Sequence, residues 1–311
     1  MNLHIIRDPG AMPDWMGEAL ERFERGFTYP LGSGRIFRIS HGREYLPFFA
    51  AMGSYKLLVA EDKQEVLGTL VCVMRRIDFG GPYQLERWVH YLADLKISPR
   101  ARGGMVLASL MHAAKELIET SGSSSCYGIV MKGTASLPPA YTGRLGIPAF
   151  EKLADIMVLR ISPGTAGGPV SSYATVVPEP VVPESQTTCI VSGGHREQRS
   201  LMRPLPLPGG AWLEDTRRAK RLWTGTGEEM LSAHLTSFQF IDPAEGAAVI
   251  RAAVAELHGL GFPALFTAVP ASRYPALRAE LRALDITEAP AAVFGHELPG
   301  DCDWWVDTAE I

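Results

Sequence analysis

The sequence predicts a mixed α/β chain built as two related units. Three observations carry that expectation. Short apolar runs with strand character alternate with longer segments of helical period. A Pro- and Gly-rich stretch at 163–186 divides the 311 residues into two comparable parts. The order of elements before that stretch partly repeats after it, as expected of a duplicated unit. The expected layout is a first domain over 1–162, a linker over 163–186 and a second domain over 187–311.

In chain order, Leu3–Ile6 reads as a strand, Pro13–Arg25 as a helix and Arg43–Met52 as a second helix. Lys56–Ala60 and Val66–Arg76 read as strands around the polar turn Glu61–Glu65, and a further strand is expected from Arg87 to Ser98. Val106, Leu110, Ala113 and Leu117 then recur at helical spacing, and Ser121-Gly122-Ser123 stops that helix. Tyr127–Met131 and Glu151–Ile161 are the last strands of the first half. In the linker, Pro178, Pro180 and Pro183 interrupt both helix and ladder.

In the second half, Met230–Ile241 reads as a long strand. Asp242 as N-cap with Pro243 behind it opens a helix that ends at Gly259 and Gly261. Ala264–Val269 is a buried strand, Tyr274–Leu284 a helix, and Ala291–Leu298 and Trp304–Asp307 the final strands.

Composition narrows the class of function. The chain is 46% hydrophobic and 21% charged with net charge -4, so bulk basicity for nucleic acid or an anionic membrane is lacking. No apolar run approaches the roughly 20 residues of a membrane span. The start, Met1–Asp8, lacks the features of a signal peptide. Cys72, Cys126, Cys189 and Cys302 are scattered without a C-x-x-C pair, which fits buried thiols in a reducing cytoplasm.

The chemistry concentrates at Asp94–Leu117. A strand ends in Pro99-Arg100-Ala101-Arg102-Gly103-Gly104, and a helix starts near Met105. Unpaired backbone N–H groups, the positive end of the helix dipole and two arginines would converge on one spot, which suits a pyrophosphate. Leu95-x-Ile97-x-Pro99, then Arg102 with Gly103 and Gly104, resembles the acyl-CoA-binding segment of the GCN5-related N-acetyltransferases (GNATs). Met105 and Leu107 depart from that family's small residues. A register starting at Arg100 also places Gly103 on a family glycine, with shorter spacing from Pro99; the register on Arg102 is preferred.

What the resemblance implies is specific. The fold would be two GNAT-like acyl-CoA N-acyltransferase domains, each a mixed, mostly antiparallel sheet flanked by helices. Amides of Gly103, Gly104, Met105, Val106 and Leu107, with Arg102, would hold the diphosphate of acetyl-CoA as acyl donor. The strand edge at Leu95, Lys96 and Ile97 would pair with the pantetheine arm, and an N–H near Ile97 would polarise the thioester. Downstream, Ala140-Tyr141 and Gly146-Ile147 resemble the family's later motif, which makes Tyr141 the candidate general acid for the leaving thiolate. Family bases fall at the positions of Tyr91 and Ala93, and neither is a carboxylate. Strand alternation aims Asp94 at the other face, while Glu86 and His90 would need a bulge. No base is assigned, and a bound water serves as well.

The second half has Asp242 and Glu245 at the equivalent turn, with no Arg. Both would repel a diphosphate, so this copy is expected to have lost the donor site. Other signals have plainer readings. Gly225-Thr226-Gly227 and Gly193-Gly194-His195 read as turns, Arg217–Arg221 as a solvated basic cluster or, alternatively, a partner for the donor's 3′-phosphate from the neighbouring unit, and Trp304-Trp305 as packing. The eight His show no zinc spacing. The expected protein transfers an acetyl group to a small-molecule or peptide amine by direct attack, with no metal, no nucleic acid and no membrane partner; a homodimer stays open. Two alternatives are a non-catalytic acyl-CoA sensor or interaction module, and a transferase for a longer acyl chain.

Overall fold

In a computed structural model of the chain, the described residues are 1–32, 34–80, 85–144, 146–163, 188–191, 201–204 (backbone alone), 210–300 and 302–311. All but the first residue of the expected linker, and Gly193-Gly194-His195, lie outside them.

The first half runs β1 (Asn2–Ile6), α1 (Met16–Glu24), β2 (Tyr29–Pro30), β3 (Ile36–Ser40), α2 (Leu46–Ala50), β4 (Tyr55–Asp62), β5 (Glu65–Phe79), β6 (Leu85–Ile97), α3 (Met105–Glu119), β7 (Cys126–Met131) and β8 (Glu151–Ser162). The rest comprises β9 (Thr188–Val191), β10 (Leu201–Pro204), β11 (Trp212–Asp215), β12 (Arg221–Thr224), β13 (Ala233–Thr236), α4 (Pro243–Leu260), β14 (Leu265–Pro270), α5 (Tyr274–Glu280), β15 (Asp285–His296) and β16 (Asp303–Trp305).

Most expected elements are present, and the departures have local causes. The long strand expected over Met230–Ile241 stops at Thr236, because Ser237 takes a positive φ of 50° and turns the chain. Asp242 caps α4 as expected, its carboxylate accepting from the Ala244 N–H at 2.9 Å. Gly225–Gly227 makes the expected hairpin turn, closed by Gly227 N–H on the Thr224 carbonyl. Strands β2 and β3 were not anticipated; β3 is stabilised through pairing with β12, from the other half of the chain.

One mixed, mostly antiparallel sheet of 13 strands carries the molecule, with the main path β1-β4-β5-β6-β7-β15-β8-β14-β13-β11-β10. Strand β15, from the second half, lies between β7 and β8 of the first. Strand β8 in turn lies between β15 and β14. Each unit therefore completes its sheet with a strand of the other.

Helix α3 packs on one face of the first half-sheet through Val106, Leu110, Ala113 and Leu117, against Leu58, Ala60, Leu70 and Cys72. The approach is close because residue 68 is glycine. A Cβ there would sit 2.8 Å from Val106 and 2.9 Å from Ile97. Helices α1 and α2 cover the opposite face, with Leu20, Leu46 and Phe49 over Leu57, Val71 and Val73. Trp304 and Trp305, adjacent in β16, point to opposite sides as strand alternation requires, and each enters a different core. The four cysteines are buried thiols.

Candidate active site

Strands β6 and β7 are parallel but pair only at His90–Cys126 and Tyr91–Tyr127. Beyond those rungs they diverge, leaving the far end of β6 with one partner, β5. Ser98 N–H donates to the Leu67 carbonyl on that side at 2.8 Å. Period-2 alternation then turns the Lys96 amide to β5 and the Leu95 and Ile97 amides toward the gap.

The pairing of β5 with β6 slips between Thr69 and Val71, opposite Asp94, which takes a positive φ of 56°. This is a β-bulge, and it re-aims the side chains that follow it. Tyr91, Ala93, Asp94 and Lys96 all face α1 and α2, whereas Leu92, Leu95 and Ile97 face α3. The alternation that placed Asp94 on the opposite face from Tyr91 and Ala93 fails at this residue. Tyr91 stacks on Tyr127 with centroids 4.9 Å apart, so neither it nor Ala93 supplies a base. His90, on the α3 side, contacts the Ser121 hydroxyl at 2.7 Å, and burial above all pushes its pKa down to about 4. It is neutral at physiological pH.

A buried polar cluster sits where β6 leaves β7. Lys96 Nζ donates to Glu24 Oε1 at 2.9 Å and also contacts Asp94, which accepts a hydrogen bond from the Tyr45 hydroxyl. Glu24 also accepts from the His41 backbone N–H at 2.9 Å and contacts His41 Nδ1 at 2.7 Å. Burial opposes ionisation of Glu24, yet His41 and Lys96 together pull its carboxyl down to about 2. Burial likewise opposes the Lys96 charge, and Asp94, Tyr29 and Glu24 outweigh it, holding the ammonium above its usual range. Glu24, His41 and Asp94 bring three potential metal-ligand atoms within 4.8 Å of one another. The Lys96 ammonium already provides the cation that two carboxylates require.

At the end of β6, Pro99–Ala101 form one 3-10 turn before α3 begins. Gly103 has φ +76°, a left-handed conformation that glycine adopts without strain. Gly104 is the N-cap of α3 and offers no side chain to the first helical amides. Arg100 is engaged by Glu65, while Arg102 is exposed at the loop. Met105, whose side chain could have plugged the corner, is 73% exposed. Val106 is buried under the sheet, and Leu107 is half-buried. Of the three strand residues expected at the donor, Lys96 thus differs, with its amide turned to β5 and its side chain buried.

Tyr141 follows the 3-10 turn Pro138–Ala140, its N–H on the Pro138 carbonyl. It is half-buried, and burial pushes the phenol up to about 12. Thr142 ties this loop down, donating to the Pro138 carbonyl at 2.8 Å and accepting from Phe150 N–H at 3.1 Å.

No protein-family model and no curated protein matches the chain. Solved structures do. A GCN5-related N-acetyltransferase from Anabaena variabilis superimposes with TM-score 0.50 at 12% identity, covering 94% of this chain and 72% of that one. A tandem GNAT protein from the clavulanic acid biosynthesis pathway gives TM-score 0.52 at 12% identity, covering 96% and 100%. The chain has the tandem GNAT fold. Saccharomyces cerevisiae N-myristoyltransferase, solved with bound myristoyl-CoA, gives TM-score 0.54 at 7% identity over 99% and 82%. In this tandem GNAT fold the Arg102–Leu107 turn and the β6–β7 divergence fall in the first unit. At the turn that opens α4, the Asp242 carboxylate already accepts from the Ala244 N–H.

The sequence missed the Asp94 bulge and the cluster around Lys96, whose members are distant in sequence. It also misread Lys220, expected in a solvated basic run. Lys220 is 2% exposed, and its Nζ donates to the backbone oxygens of Thr308 at 2.9 Å and Ile311 at 2.7 Å. Among the described residues, no helix is long and apolar enough to cross a membrane.

Proposed function

We propose that the protein is an acyl-CoA-dependent N-acyltransferase whose donor site lies in the first unit, with acetyl-CoA the simplest donor. The observation that carries this reading is the adjacency of two features. One is the divergence of β6 from β7, and the other is an α3 N-terminus without a capping side chain, beside exposed Arg102. Backbone N–H groups of Gly103 to Leu107 and the dipole of α3 attract a diphosphate. The pantetheine arm then runs back along β6, bonding to the Leu95 and Ile97 amides, one of which polarises the thioester carbonyl.

The acceptor, a small-molecule or peptide amine, approaches from the α1–α2 side. Its amine loses a proton through water and attacks the thioester carbon. The C–S bond breaks, and Tyr141 donates a hydrogen bond to the departing thiolate. A second reading, a non-catalytic acyl-CoA sensor, is favoured by one observation: Asp94 is already held by Tyr45 and Lys96 and offers no free base.

Titration calorimetry with CoA tests the donor site. Arg102→Glu replaces a charge-assisted contact with repulsion and is expected to weaken CoA by at least about tenfold. Unchanged affinity would remove the phosphate assignment. Release of free thiol in the presence of an amine panel separates enzyme from sensor.

A further inference from the structure

We propose that the donor site continues into a binding groove for an aliphatic acyl chain longer than acetyl. This inference rests on the donor reading above and names the substrate class for it. A groove of about 210 Å³ runs between α3, the last paired rungs of β6 and β7, and the 147–150 segment. Its wall is Leu92, Met111, Ala114, Ile118, Cys126 and Phe150. Cys126 adds no charge: burial above all, with Cys72 and Glu297 adding to it, pushes its thiol up to about 12.

Polar groups are confined to the rim and satisfy one another there. Lys115 reaches Glu119 at 3.5 Å, and His296 reaches Glu297 at 3.7 Å. An interior free of charge with polar groups at its edge suits a hydrocarbon tail better than a polar ligand.

Position gives the occupant. With the diphosphate at the start of α3, the donor runs from Ile97 back toward Leu92, so its acyl end arrives where β6 and β7 close. Cys126 belongs to one of those closing rungs, Leu92 is the first β6 residue beyond them, and both line the groove. An acetyl methyl stops at that point; a longer tail turns past Leu92 and lies along α3. At about 30 Å³ for a water-sized group, the space holds roughly seven such groups, a tail of about six to eight carbons.

The test is calorimetric affinity for acetyl-, hexanoyl- and dodecanoyl-CoA. The parent is expected to gain about fourfold per methylene placed in the groove until it is full. Hexanoyl-CoA then binds at least about 30-fold tighter than acetyl-CoA, and dodecanoyl-CoA, whose tail overruns the groove, gains over hexanoyl-CoA only for the roughly two to four further carbons that still fit. Ala114→Phe fills the groove and lowers the hexanoyl preference at least about tenfold. Phe150→Ala enlarges the groove and moves the preference toward dodecanoyl-CoA, which keeps the test informative should the first variant fold poorly. Equal affinity of the parent for acetyl- and hexanoyl-CoA overturns the groove and leaves the donor site standing. No measurable binding of any of the three overturns both.

Discussion

Replacing Lys96 with Met tests the buried cluster that the bulge in β6 brings together. The Lys96 side chain is 2% exposed and lies between two carboxylates, Glu24 at 1% and Asp94 at 8%. Removing the ammonium leaves buried negative charge uncompensated, which costs about 3–5 kcal/mol at pH 7. The Glu24 carboxyl gives an independent scale. Its fall from 4.5 to about 2 corresponds to about 3 kcal/mol. Since the folded-state pKa lies below the unfolded one, that stabilisation is complete above about pH 4.5 and is lost as pH falls toward 2. In the Met variant, burial still penalises the Glu24 charge while one of its two attractions is gone, so its folded-state pKa rises. Acid then relieves the variant by neutralising the uncompensated carboxylate, whereas it weakens the parent. Urea unfolding at pH 7 and at pH 4 reads both effects. The stability gap should be largest at pH 7 and shrink on acidification. A loss below about 1 kcal/mol at pH 7, or a gap unchanged between the two pH values, would refute the reasoning.

Tyr141→Phe should lower turnover, read as thiol release, by about tenfold while CoA affinity stays within about a factor of two. A phenol held near 12 gives up its proton reluctantly, so the loss expected is that of a hydrogen bond. The parent should show no loss of activity from phenol ionisation below about pH 11. A polypeptide of residues 1–162 alone lacks β15 between β7 and β8 and should show no cooperative unfolding transition. Adding a separate 187–311 polypeptide should restore that transition, and independent cooperative folding of 1–162 would contradict the strand exchange.

What was legible in the sequence followed from local chemistry. The β6–turn–α3 segment announces itself through Leu95, Ile97, Pro99 and the glycine pair, because strand, turn and helix signals are neighbours there. The Asp242-Pro243 start of α4 is equally local. The bulge at Asp94 is not, since it depends on how β6 slips against Thr69 and Val71 of β5. Nor is the cluster it feeds, in which Lys96 meets Glu24 from 72 positions away. Lys220 looked solvated because its neighbours are basic, whereas its partners are backbone oxygens 88 and 91 positions downstream. The repeated order of elements pointed to two units. It carried no sign that β8 and β15 would change places, because the pairing of each depends on partners distant in sequence. The groove along α3 escaped for a related reason: Met111, Ala114 and Ile118 have the spacing of ordinary core residues, and the space beside them is bounded by Phe150 and His296, distant in sequence.

The most direct test of the donor site is backbone amide chemical-shift mapping of the full chain titrated with CoA. The largest changes should fall on Gly103 to Leu107, with a second set at Leu95 and Ile97 and little change at Asp242–Gly246 of the second unit. Saturable shifts confined elsewhere, or none at the start of α3, would contradict the account.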